Sequence, residues 1–304
     1  MHTVTILMST YNGQKYLREQ LDSLLNQQDV SLRIIVRDDG SRDNTLKILA
    51  EYQKVDSTLC VLSEQNCGAE ESFNRLCRYA LTVEKTDYYA FCDQDDVWDK
   101  NKLKIAIDNL KNFEDLYPNL YFSNLKMVNE RLEYIKDFYS ENEVFTDKRK
   151  TLVQVFAYGC TCVFNRKALE MYCGVKSQKV FHDNWIYAVC SYMGHIVYDP
   201  VGHILYRQHD KNLSGHKSNG FSLIYQRFKC AFHGHLGHTF ENMAIQLMYY
   251  QSEINEEDFK LIKHVASYRK KLMSKLYLLC ATGFSTKSWF KNICIKYRIL
   301  FNGL

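Results

Sequence analysis

Residues 89–98 read YAFCDQDDVW. An uncharged run that predicts the end of a buried strand passes directly into three carboxylates, those of Asp93, Asp95 and Asp96. Like charges this close repel one another, so a fold that keeps them at a strand end usually supplies a divalent cation or another positive partner. The alternative is a solvated acidic turn that caps a helix beginning near Asp99. This stretch alone therefore leaves two interpretations, a metal site and a helix cap.

Apolar strands and amphipathic helices alternate on the N-terminal side of this stretch. Hydrophobic runs predict strands at 3–9, 32–37, 58–63 and 88–92, and helical spacing predicts helices at 14–28, 44–53 and 69–83. Parallel neighbouring strands require crossover connections, which the helices provide. The pattern predicts an α/β fold with a doubly wound, mixed but mostly parallel sheet.

A polar turn follows each of the four predicted strands. In open α/β sheets, ligands bind beyond the carboxyl ends of the strands, so these turns should converge on one crevice. Convergence favours the metal-site interpretation, because an isolated helix cap would have no reason to share an edge with three other polar turns. The turns contain Thr10, Tyr11 and Asn12, then Asp38 and Asp39, then Asn66, and finally Asp93, Asp95 and Asp96.

The second half of the chain is less regular. Strands are predicted at 120–126 and 160–165, a helix at 182–193, and strands at 195–198 and 202–206. Beyond about residue 215 the pattern becomes helical, and after residue 258 it is basic. We therefore predict a main domain over 1–215 and a helical, basic C-terminal region over 216–304.

Composition restricts the class of protein. With 304 residues, 46% hydrophobic and 24% charged, the chain can bury a large core, and disorder is not expected. Its start lacks the pattern of a signal peptide, and no apolar run approaches the roughly 20 residues of a membrane span, which predicts a cytoplasmic protein. The 11 cysteines are scattered, so we expect reduced, buried thiols. Cys160 and Cys162 would share one face of a strand without other ligands, and no cysteine zinc site is predicted.

The C-terminal end has a marked charge asymmetry. Residues 259–304 contain ten basic and no acidic residues, whereas the whole chain carries only +4. Aromatic and aliphatic residues lie between the basic ones, as suits contact with an anionic membrane surface. The alternatives are a helical appendage with a solvated basic face and a nucleic-acid surface. No nucleic-acid module is visible, and we predict peripheral contact with the inner face of the plasma membrane.

Five motifs together resemble a known family. The chain is similar to family 2 glycosyltransferases with the GT-A (nucleotide-diphospho-sugar transferase) fold, and within them to bacterial rhamnosyltransferase-type enzymes of cell-surface polysaccharide synthesis. The motifs occur in the family's order over about the first 215 residues. They are Ser9-Thr10-Tyr11-Asn12-Gly13, Val36-Arg37-Asp38-Asp39-Gly40-Ser41-Arg42-Asp43, Asp93-Gln94-Asp95-Asp96-Val97-Trp98, His182-Asp183-x-Trp185 and Tyr206-Arg207-Gln208-His209.

The resemblance implies a nucleotide pocket at the first two motifs. Thr10, Tyr11 and Asn12 would line it, and Asp39, together with Asp38, would hydrogen-bond the base. A carboxylate can accept a hydrogen bond from a uracil or thymine N–H, and an aromatic ring can stack on the base. The alternative for the two aspartates is a turn that uses Asp and Gly for its backbone angles.

The acidic motif resembles the DXD motif, which holds Mg²⁺ or Mn²⁺ against the donor's diphosphate. Hard oxygen ligands suit these ions. We place Asp95 on the metal, and Asp93 and Asp96 on the ribose or on metal-bound water. Arg207 and His209 resemble the late basic motif that contacts the diphosphate, although an isolated histidine is more often structural.

Asp183 occupies the family's catalytic position, which implies a base that takes the proton of the acceptor hydroxyl. The alternative is a helix N-cap. His182 and Trp185 are expected to shape the acceptor side. Outside the resemblance, His233, His235, His238 and Glu241 form a cluster whose spacing matches no zinc motif, so a polar loop is the favoured interpretation.

The predicted function is inverting, metal-dependent transfer of a sugar, hexosyl or rhamnosyl, from a UDP- or dTDP-linked donor to a glycan acceptor, lipid-linked in the favoured version. The alternatives are a nucleotidyltransferase, which would release pyrophosphate, and a non-catalytic sugar-nucleotide or glycan-binding protein. A dehydrogenase is disfavoured because the first turn lacks the Gly-x-Gly-x-x-Gly pattern. The sugar, linkage and oligomeric state do not follow from the sequence.

Overall fold

A computed structural model describes residues 1–83, 85–175, 180–209, 238–281 and 283–304. In its N-terminal part, strands and helices alternate as the hydrophobic periodicity predicts. The elements are β1 (His2–Thr10), α1 (Leu17–Leu25), β2 (Val30–Asp38), α2 (Thr45–Val55), β3 (Leu59–Ser63), α3 (Ala69–Thr82), β4 (Tyr88–Cys92), β5 (Val97–Trp98) and α4 (Lys102–Leu110).

The remaining elements include four helices near the C-terminus. They are β6 (Asn119–Ser123), β7 (Lys126–Val128), β8 (Tyr134–Asp137), β9 (Val163–Asn165), α5 (Arg166–Cys173), α6 (His182–Met193), β10 (His195–Asp199), β11 (Ile204–Arg207), α7 (Thr239–Leu247), α8 (Glu256–Ser267), α9 (Leu272–Cys280) and α10 (Trp289–Leu300). No helix in the described ranges is both long enough and apolar enough to cross a membrane.

The described strands form two sheets. The main sheet has the order β10-β6-β9-β4-β1-β2-β3, and only β9 runs antiparallel to its neighbours. A smaller sheet has the order β5-β11-β7-β8. From β1 the chain adds β2 and β3 on one side and then returns to place β4 on the other side. The switch in strand order between β1 and β4 is where a doubly wound sheet forms its ligand crevice.

Side chains of β1 alternate between two cores. Val4, Ile6 and Met8 lie in a hydrophobic cluster with residues of α1, α2 and α4. Leu7 lies in the cluster on the opposite face, with Phe73 of α3. Because strand side chains alternate and both clusters are buried, helices cover both faces of the sheet, as a mostly parallel sheet requires.

Three predicted elements differ from the structure by more than two residues at one or both of their ends. The helix predicted at 14–28 begins only at Leu17, because the Gly13 carbonyl accepts hydrogen bonds from the amides of Tyr16 and Leu17 in a turn. The strand predicted at 120–126 is divided between β6 and β7, which belong to different sheets. The strand predicted at 160–165 is wrong for its first half, since Gly159–Thr161 forms a 3₁₀ turn and the strand begins at Val163.

The C-terminal helices pack on the main domain. Met243 of α7, Ile262 of α8 and Ile299 of α10 are fully buried in the cluster that contains Trp185 of α6. The Tyr250 hydroxyl donates a hydrogen bond to the Met171 carbonyl of α5. The predicted boundary at residue 215 lies outside the described residues, and the described C-terminal helices share a core with α5 and α6.

Candidate active site

The turn after β1 is held in place by side chains from two other turns. Thr10 Oγ1 donates to Asp38 Oδ1 over 3.0 Å. The Tyr11 amide donates to Gln94 Oε1 over 2.9 Å, and Gln94 Nε2 donates to the Tyr11 carbonyl over 3.1 Å. Asn12 has a left-handed backbone with φ of 50°. Because the backbone is fixed while the Tyr11 side chain stays 47% exposed, its ring is available to a ligand.

Asp38 forms the turn that follows β2. It is fully buried, and its carboxylate accepts hydrogen bonds from Thr10 Oγ1, from the Ser41 amide and from Ser41 Oγ. Gly40, with φ of 77°, supplies the backbone conformation that L-residues rarely adopt. These bonds are those of the turn interpretation, and a contact between Asp38 and a base stays a prediction.

Asp39 lies beside Asp38 and connects β2 to the turn after β3. It pairs with the fully buried Arg37, and its carboxylate accepts from the amides of Cys67 and Gly68 over 2.8 and 2.9 Å. Asn66 Nδ2 donates to the Asp39 carbonyl. Burial raises the pKa of Asp39, but the bonds from Arg37 and the two amides outweigh it, so the pKa lies below its usual value. Asp39 is thus an ionised anchor between the turns after β2 and β3.

The acidic motif begins where β4 ends. A carboxylate oxygen of Asp93, a carboxylate oxygen of Asp96 and Cys160 Sγ all lie within 4.8 Å of one another. Asp96 is fully buried, and its Oδ1 accepts from the Arg207 amide over 3.1 Å. Its Oδ2 has no hydrogen-bond partner within the part of the chain that the structure describes. The neighbouring Asp95 contacts His209 instead.

Crowding and burial change the protonation of this cluster. Burial, then the charges of Asp95 and Asp183, raise the pKa of Asp93 to about 7. Burial and the charges of Asp95 and Asp93 raise the pKa of Asp96 well above its usual value. Without a cation these carboxyls therefore hold protons at a pH where free aspartates are ionised. The helix-cap interpretation does not account for a carboxylate that is fully buried.

A buried cation lies under the cluster. Lys102, the first residue of α4, is fully buried, and its Nζ lies 3.4 Å from the centroid of the Trp98 ring. Burial lowers its pKa to about 8, although the charge of Asp96 favours the ammonium form. Lys102 Nζ has no hydrogen-bond partner among the described residues, so it acts on Asp96 only through its charge.

The late basic motif packs against the acidic one. Arg207 is buried, its Nε donates to the Asp95 carbonyl over 2.9 Å, and its guanidinium pairs with Glu19. His209 Nε2 lies 2.9 Å from Asp95 Oδ2. Tyr16 supports both side chains, with the His209 ring stacked at 5.1 Å and the Arg207 guanidinium 4.4 Å from its centroid. The structure therefore brings Arg207 and His209 to the predicted metal ligands.

Asp183 lies at the start of α6 on the same side of the sheet edge. The Asn184 amide donates to its Oδ1 over 2.7 Å. Burial raises the pKa of Asp183 to about 6, and the bonds from the backbone amides only partly offset this effect. Its charge in turn raises the pKa of Asp93, so the two carboxyls are close enough to interact. A carboxyl with such a pKa can accept a proton near neutral pH.

The residues flanking Asp183 are structural. Trp185 is fully buried, and its Nε1 donates to the Tyr172 carbonyl over 3.0 Å. His182 stacks on Phe73 with ring centroids 3.8 Å apart, and burial lowers its pKa to about 3. The expectation that Trp185 shapes the acceptor side is wrong, because α6 turns that indole into the core. His182 belongs to an aromatic cluster beneath Asp183.

Sequence reasoning missed three residues of the site, namely Gln94, Lys102 and Cys160. Sequence analysis treats Gln94 only as the residue between Asp93 and Asp95 of the acidic motif, yet its side-chain amide forms two hydrogen bonds with the Tyr11 backbone. Cys160 was assigned to a strand without further ligands, and that assignment is wrong, because the 3₁₀ turn places its thiol beside Asp93 and Asp96. Lys102 stands in the first turn of α4, which is an unusual place for a lysine. This feature of the sequence could have identified it.

The histidine cluster near the C-terminal helices lies only partly in the described chain. His233 and His235 lie outside the described residues. His238 Nδ1 lies 3.5 Å from Glu241 Oε2, and Arg269 contacts the same oxygen over 3.2 Å. Glu241 is therefore engaged by a guanidinium, which agrees with the structural interpretation of this cluster.

The residues of the acidic motif fit a divalent cation. They offer two adjacent carboxylates, a third carboxylate on Asp95 and a thiol, and one buried oxygen, Asp96 Oδ2, lacks a partner among the described residues. An unpaired carboxylate oxygen in the interior is unfavourable, and a cation would satisfy it.

Solved structures with this architecture define its class. S. aureus TarS 1-349 in complex with UDP-GlcNAc matches with a TM-score of 0.59 at 18% identity, covering 92% of this chain and 76% of that one. Mannosyltransferase PcManGT from Pyrobaculum calidifontis, in complex with GDP-Man and Mn²⁺, matches with a TM-score of 0.55 at 16% identity, covering 99% and 85%. The fold is the GT-A fold of glycosyltransferases.

Sequence similarity then gives the family. The family model described as glycosyl transferase family 2 matches residues 5–173. The dTDP-rhamnosyl transferase RfbG of Shigella flexneri is 35% identical over 228 residues, which cover 68% of this chain and 73% of RfbG. The chain belongs to glycosyl transferase family 2.

A second relative is named for teichuronic acid biosynthesis. The putative teichuronic acid biosynthesis glycosyltransferase TuaG of Bacillus subtilis is 35% identical over 106 residues, which cover 34% of this chain and 40% of TuaG. The protein is a glycosyltransferase, and one of its relatives is a putative glycosyltransferase of teichuronic acid biosynthesis.

Proposed function

We propose that the protein transfers a sugar from a UDP- or dTDP-linked donor to a glycan acceptor, with inversion at the anomeric carbon. The observation that carries this proposal is the convergence of the turns after β1, β2 and β4 with Asp183 and His209 at the β1–β4 switch point. The names of RfbG and of the TarS complex supply the two candidate nucleotides. The acceptor is a lipid-linked glycan of a cell-surface polysaccharide.

The donor's nucleotide lies against the turns after β1 and β2. Tyr11 stacks on the base, because its backbone is clamped by Gln94 and its ring is exposed. Thr10, Asn12 and Asn66 line the pocket. Asp39 and Asp38 fix the shape of its floor and accept from the base.

The acidic motif holds Mg²⁺ or Mn²⁺ through Asp95, Asp93 and Asp96. When bound, the cation supplies positive charge that stabilises the leaving diphosphate. Arg207 and His209 add positive charge on the same side, and their contacts with the Asp95 carbonyl and carboxylate align them with the motif. Lys102 supports the cluster from below.

Asp183 acts as the base. Its carboxylate takes the proton of the acceptor hydroxyl while the hydroxyl oxygen forms a bond to the anomeric carbon. The bond from that carbon to the diphosphate breaks on the opposite face, and a nucleoside diphosphate leaves. The pKa of about 6 makes Asp183 ionised at neutral pH and still basic enough to accept a proton.

Calorimetric titration with UDP, dTDP and GDP, each with and without Mn²⁺, tests the donor and the cation together. We expect one nucleotide to bind in a metal-dependent manner, and Asp95→Asn to lose this binding. Asp108→Asn is the matched control, because Asp108 is a half-exposed carboxylate on the outer side of α4. Binding to none of the three, or release of pyrophosphate instead of a nucleoside diphosphate during turnover, contradicts the proposal.

The protein also contacts the inner face of the plasma membrane through residues 259–304, which places it in the cytoplasm as a peripheral protein. Of the 19 large hydrophobic side chains exposed in the described chain, eight lie on or next to α9 and α10. Basic residues are interspersed among them, and each contributes about 1 kcal/mol near an anionic surface. The eight are Leu272, Met273, Leu276, Trp289, Phe290, Ile293, Leu300 and Phe301.

Point substitutions test this contact better than deletion of 259–304, since deletion would also remove buried residues such as Ile262 and Ile299. We expect Trp289→Ser with Phe301→Ser to lose sedimentation with phosphatidylglycerol vesicles. Tyr249→Ser, also at a highly exposed position but outside this segment, is the control. Undiminished sedimentation of the double variant refutes the membrane contact and leaves the transferase proposal intact.

A further inference from the structure

Cys160 lies against two carboxylates of the acidic motif. Its Sγ and one oxygen from each of Asp93 and Asp96 all lie within 4.8 Å of one another. Cys160 and Asp96 are buried, and Asp93 is partly exposed. Three atoms that can ligate a cation therefore surround one point at the end of β4.

The backbone holds Cys160 at this place. In the 3₁₀ turn Gly159–Thr161, the Thr161 amide donates to the Tyr158 carbonyl and the Cys162 amide donates to the Gly159 carbonyl. A Cβ on Gly159 would lie 2.3 Å from Nε2 of the His182 side chain, so the turn is packed tightly against α6. The position of the thiol is thus fixed by the fold.

One carboxylate oxygen of this cluster has no protein partner among the described residues. Asp96 Oδ1 accepts from the Arg207 amide, but Oδ2 has no hydrogen-bond partner among the described residues although the side chain is fully buried. A buried carboxylate oxygen without a partner is unfavourable, and the Asp96 carboxylate that carries it lies beside a second carboxylate and a thiol. A divalent cation between them would satisfy all three groups.

We propose that Cys160 joins Asp93 and Asp96 as a ligand for thiophilic divalent cations such as Zn²⁺ or Cd²⁺. Sulfur ligands favour these soft cations, whereas Mg²⁺ and Mn²⁺ prefer oxygen. On binding, the Cys160 thiol and the protonated carboxyls of Asp93 and Asp96 release their protons to solvent. The thiolate and the two carboxylates then bind the cation, with no change of oxidation state. Since the cation takes two carboxylates of the proposed Mg²⁺/Mn²⁺ site, it excludes that ion. The site thereby becomes sensitive to inhibition by zinc.

Only the inhibition by zinc depends on the proposed function. The test therefore measures binding of the cation and not enzyme activity. The full-length protein is titrated with Cd²⁺ while the ultraviolet charge-transfer absorption of the thiolate–cadmium bond is followed. Wild type is compared with Cys160→Ser and with Cys162→Ser. Cys162 is an equally buried thiol two residues away that does not belong to the cluster, which makes it a matched control.

We expect Cys160→Ser to lose the site-specific absorption and to bind Cd²⁺ at least about tenfold more weakly, since changes near metal ligands usually cost 10–100-fold in affinity. Cys162→Ser should behave as wild type, and the Mn²⁺ affinity of both variants should stay within about threefold of wild type, because oxygen ligands dominate for that ion. Unchanged absorption in Cys160→Ser, or an equal loss in Cys162→Ser, overturns the proposal.

A competition experiment with wild type keeps the test decisive if Cys160→Ser does not fold. Excess Mn²⁺ should reduce the cadmium absorption, because the two cations share Asp93 and Asp96, and absorption that resists Mn²⁺ contradicts the proposal. Its failure is distinguishable from failure of the proposed function. If the wild-type protein binds Mn²⁺ and nucleotide but shows no cadmium bond that depends on Cys160, the proposed transferase function stands and this inference falls. If it shows that cadmium bond but binds no nucleotide, this inference stands and the proposed function falls.

Discussion

The carboxyl edge of the main sheet and the surface of the C-terminal helices differ from an average protein in opposite ways. At the sheet edge, charged side chains such as Arg37, Asp96 and Lys102 are fully buried. On α9 and α10, large apolar side chains such as Trp289 and Met273 are about three-quarters exposed. Buried charge and clustered exposed apolar surface are the two departures from average burial that carry information about function.

The difference between these regions follows from the kind of ligand each would bind. Buried charges lose hydration, so they are retained where they hold other polar groups in a fixed geometry, as Arg37 holds Asp39. Exposed apolar groups are unfavourable in water and become favourable against lipid. The proposed function accounts for both departures, because it assigns a small charged ligand to the sheet edge and an anionic lipid surface to the helices.

Replacing the proposed base gives the largest expected effect. Asp183→Asn removes the proton acceptor while keeping the size of the side chain, so we expect kcat to fall by about 10²–10⁴-fold. Nucleotide affinity should be unchanged, because Asp183 lies on the acceptor side of the cluster. Steady-state kinetics and calorimetry on one preparation separate the two quantities. An unchanged kcat leaves Asp183 with a structural role in the first turn of α6 and removes it from catalysis.

Breaking the buried ion pair comes next. Asp39→Ala leaves the Arg37 guanidinium buried without its closest partner, and we expect a loss of about 3–5 kcal/mol in the free energy of unfolding. Glu64→Gln is the control, because Glu64 also pairs with Arg37 but is 42% exposed, and we expect about 1 kcal/mol or less. Urea denaturation measures both, and equal losses would show that burial does not distinguish the two pairs.

The pH dependence of the rate is a smaller effect. Burial raises the pKa of Asp183 to about 6, and a base must be ionised to accept a proton. Lowering the pH through 6 therefore protonates Asp183, and at saturating donor and metal kcat should fall about tenfold per pH unit below that value. The residual rate of Asp183→Asn should not follow this profile, and a wild-type rate that is flat from pH 7 to pH 5 contradicts the assignment.

The smallest effect is expected on the exposed helices. Trp289 is 74% exposed, so Trp289→Ala should change the free energy of unfolding by no more than about 0.5 kcal/mol. Trp185→Ala, at a fully buried position, should cost about 3–5 kcal/mol. Thermal unfolding of the two variants compares the regions directly. A large loss for Trp289→Ala would mean that this surface is needed for folding and not for contact with lipid.

The N-terminal part of the fold, in which strands and helices alternate, could be predicted because its sequence signals are local. Hydrophobic periodicity predicted β1 to α3 and β4, and the strand-end rule then predicted that Thr10, Asp38, Asn66 and Asp93 would share an edge. The structure confirms that the turns after these strands meet through hydrogen bonds between distant residues, as between Thr10 and Asp38 or Asn66 and Asp39. Whether these residues bind a donor stays a prediction.

Predictions failed where the outcome depended on packing. Trp185 was placed on the acceptor side because it follows Asp183 in a motif, but α6 turns its indole toward Tyr172 in the core. The alternation of Cys160 and Cys162 favoured a strand, whereas contact with α6 and the bonds within the turn favour a 3₁₀ conformation. Neither contact lies within the few residues over which sequence periodicity carries information.

The sequence by itself determined the class of fold, the order of the elements, the family resemblance and the polar turns that meet at one edge, since periodicity and motif spacing are properties of neighbouring residues. Only the tertiary structure decided which charges are buried, that Gln94 clamps Tyr11, and that Cys160 and Lys102 adjoin the acidic motif. Burial and partner distances depend on segments far apart in the chain, and these quantities set the pKa values and the ligand chemistry of the site.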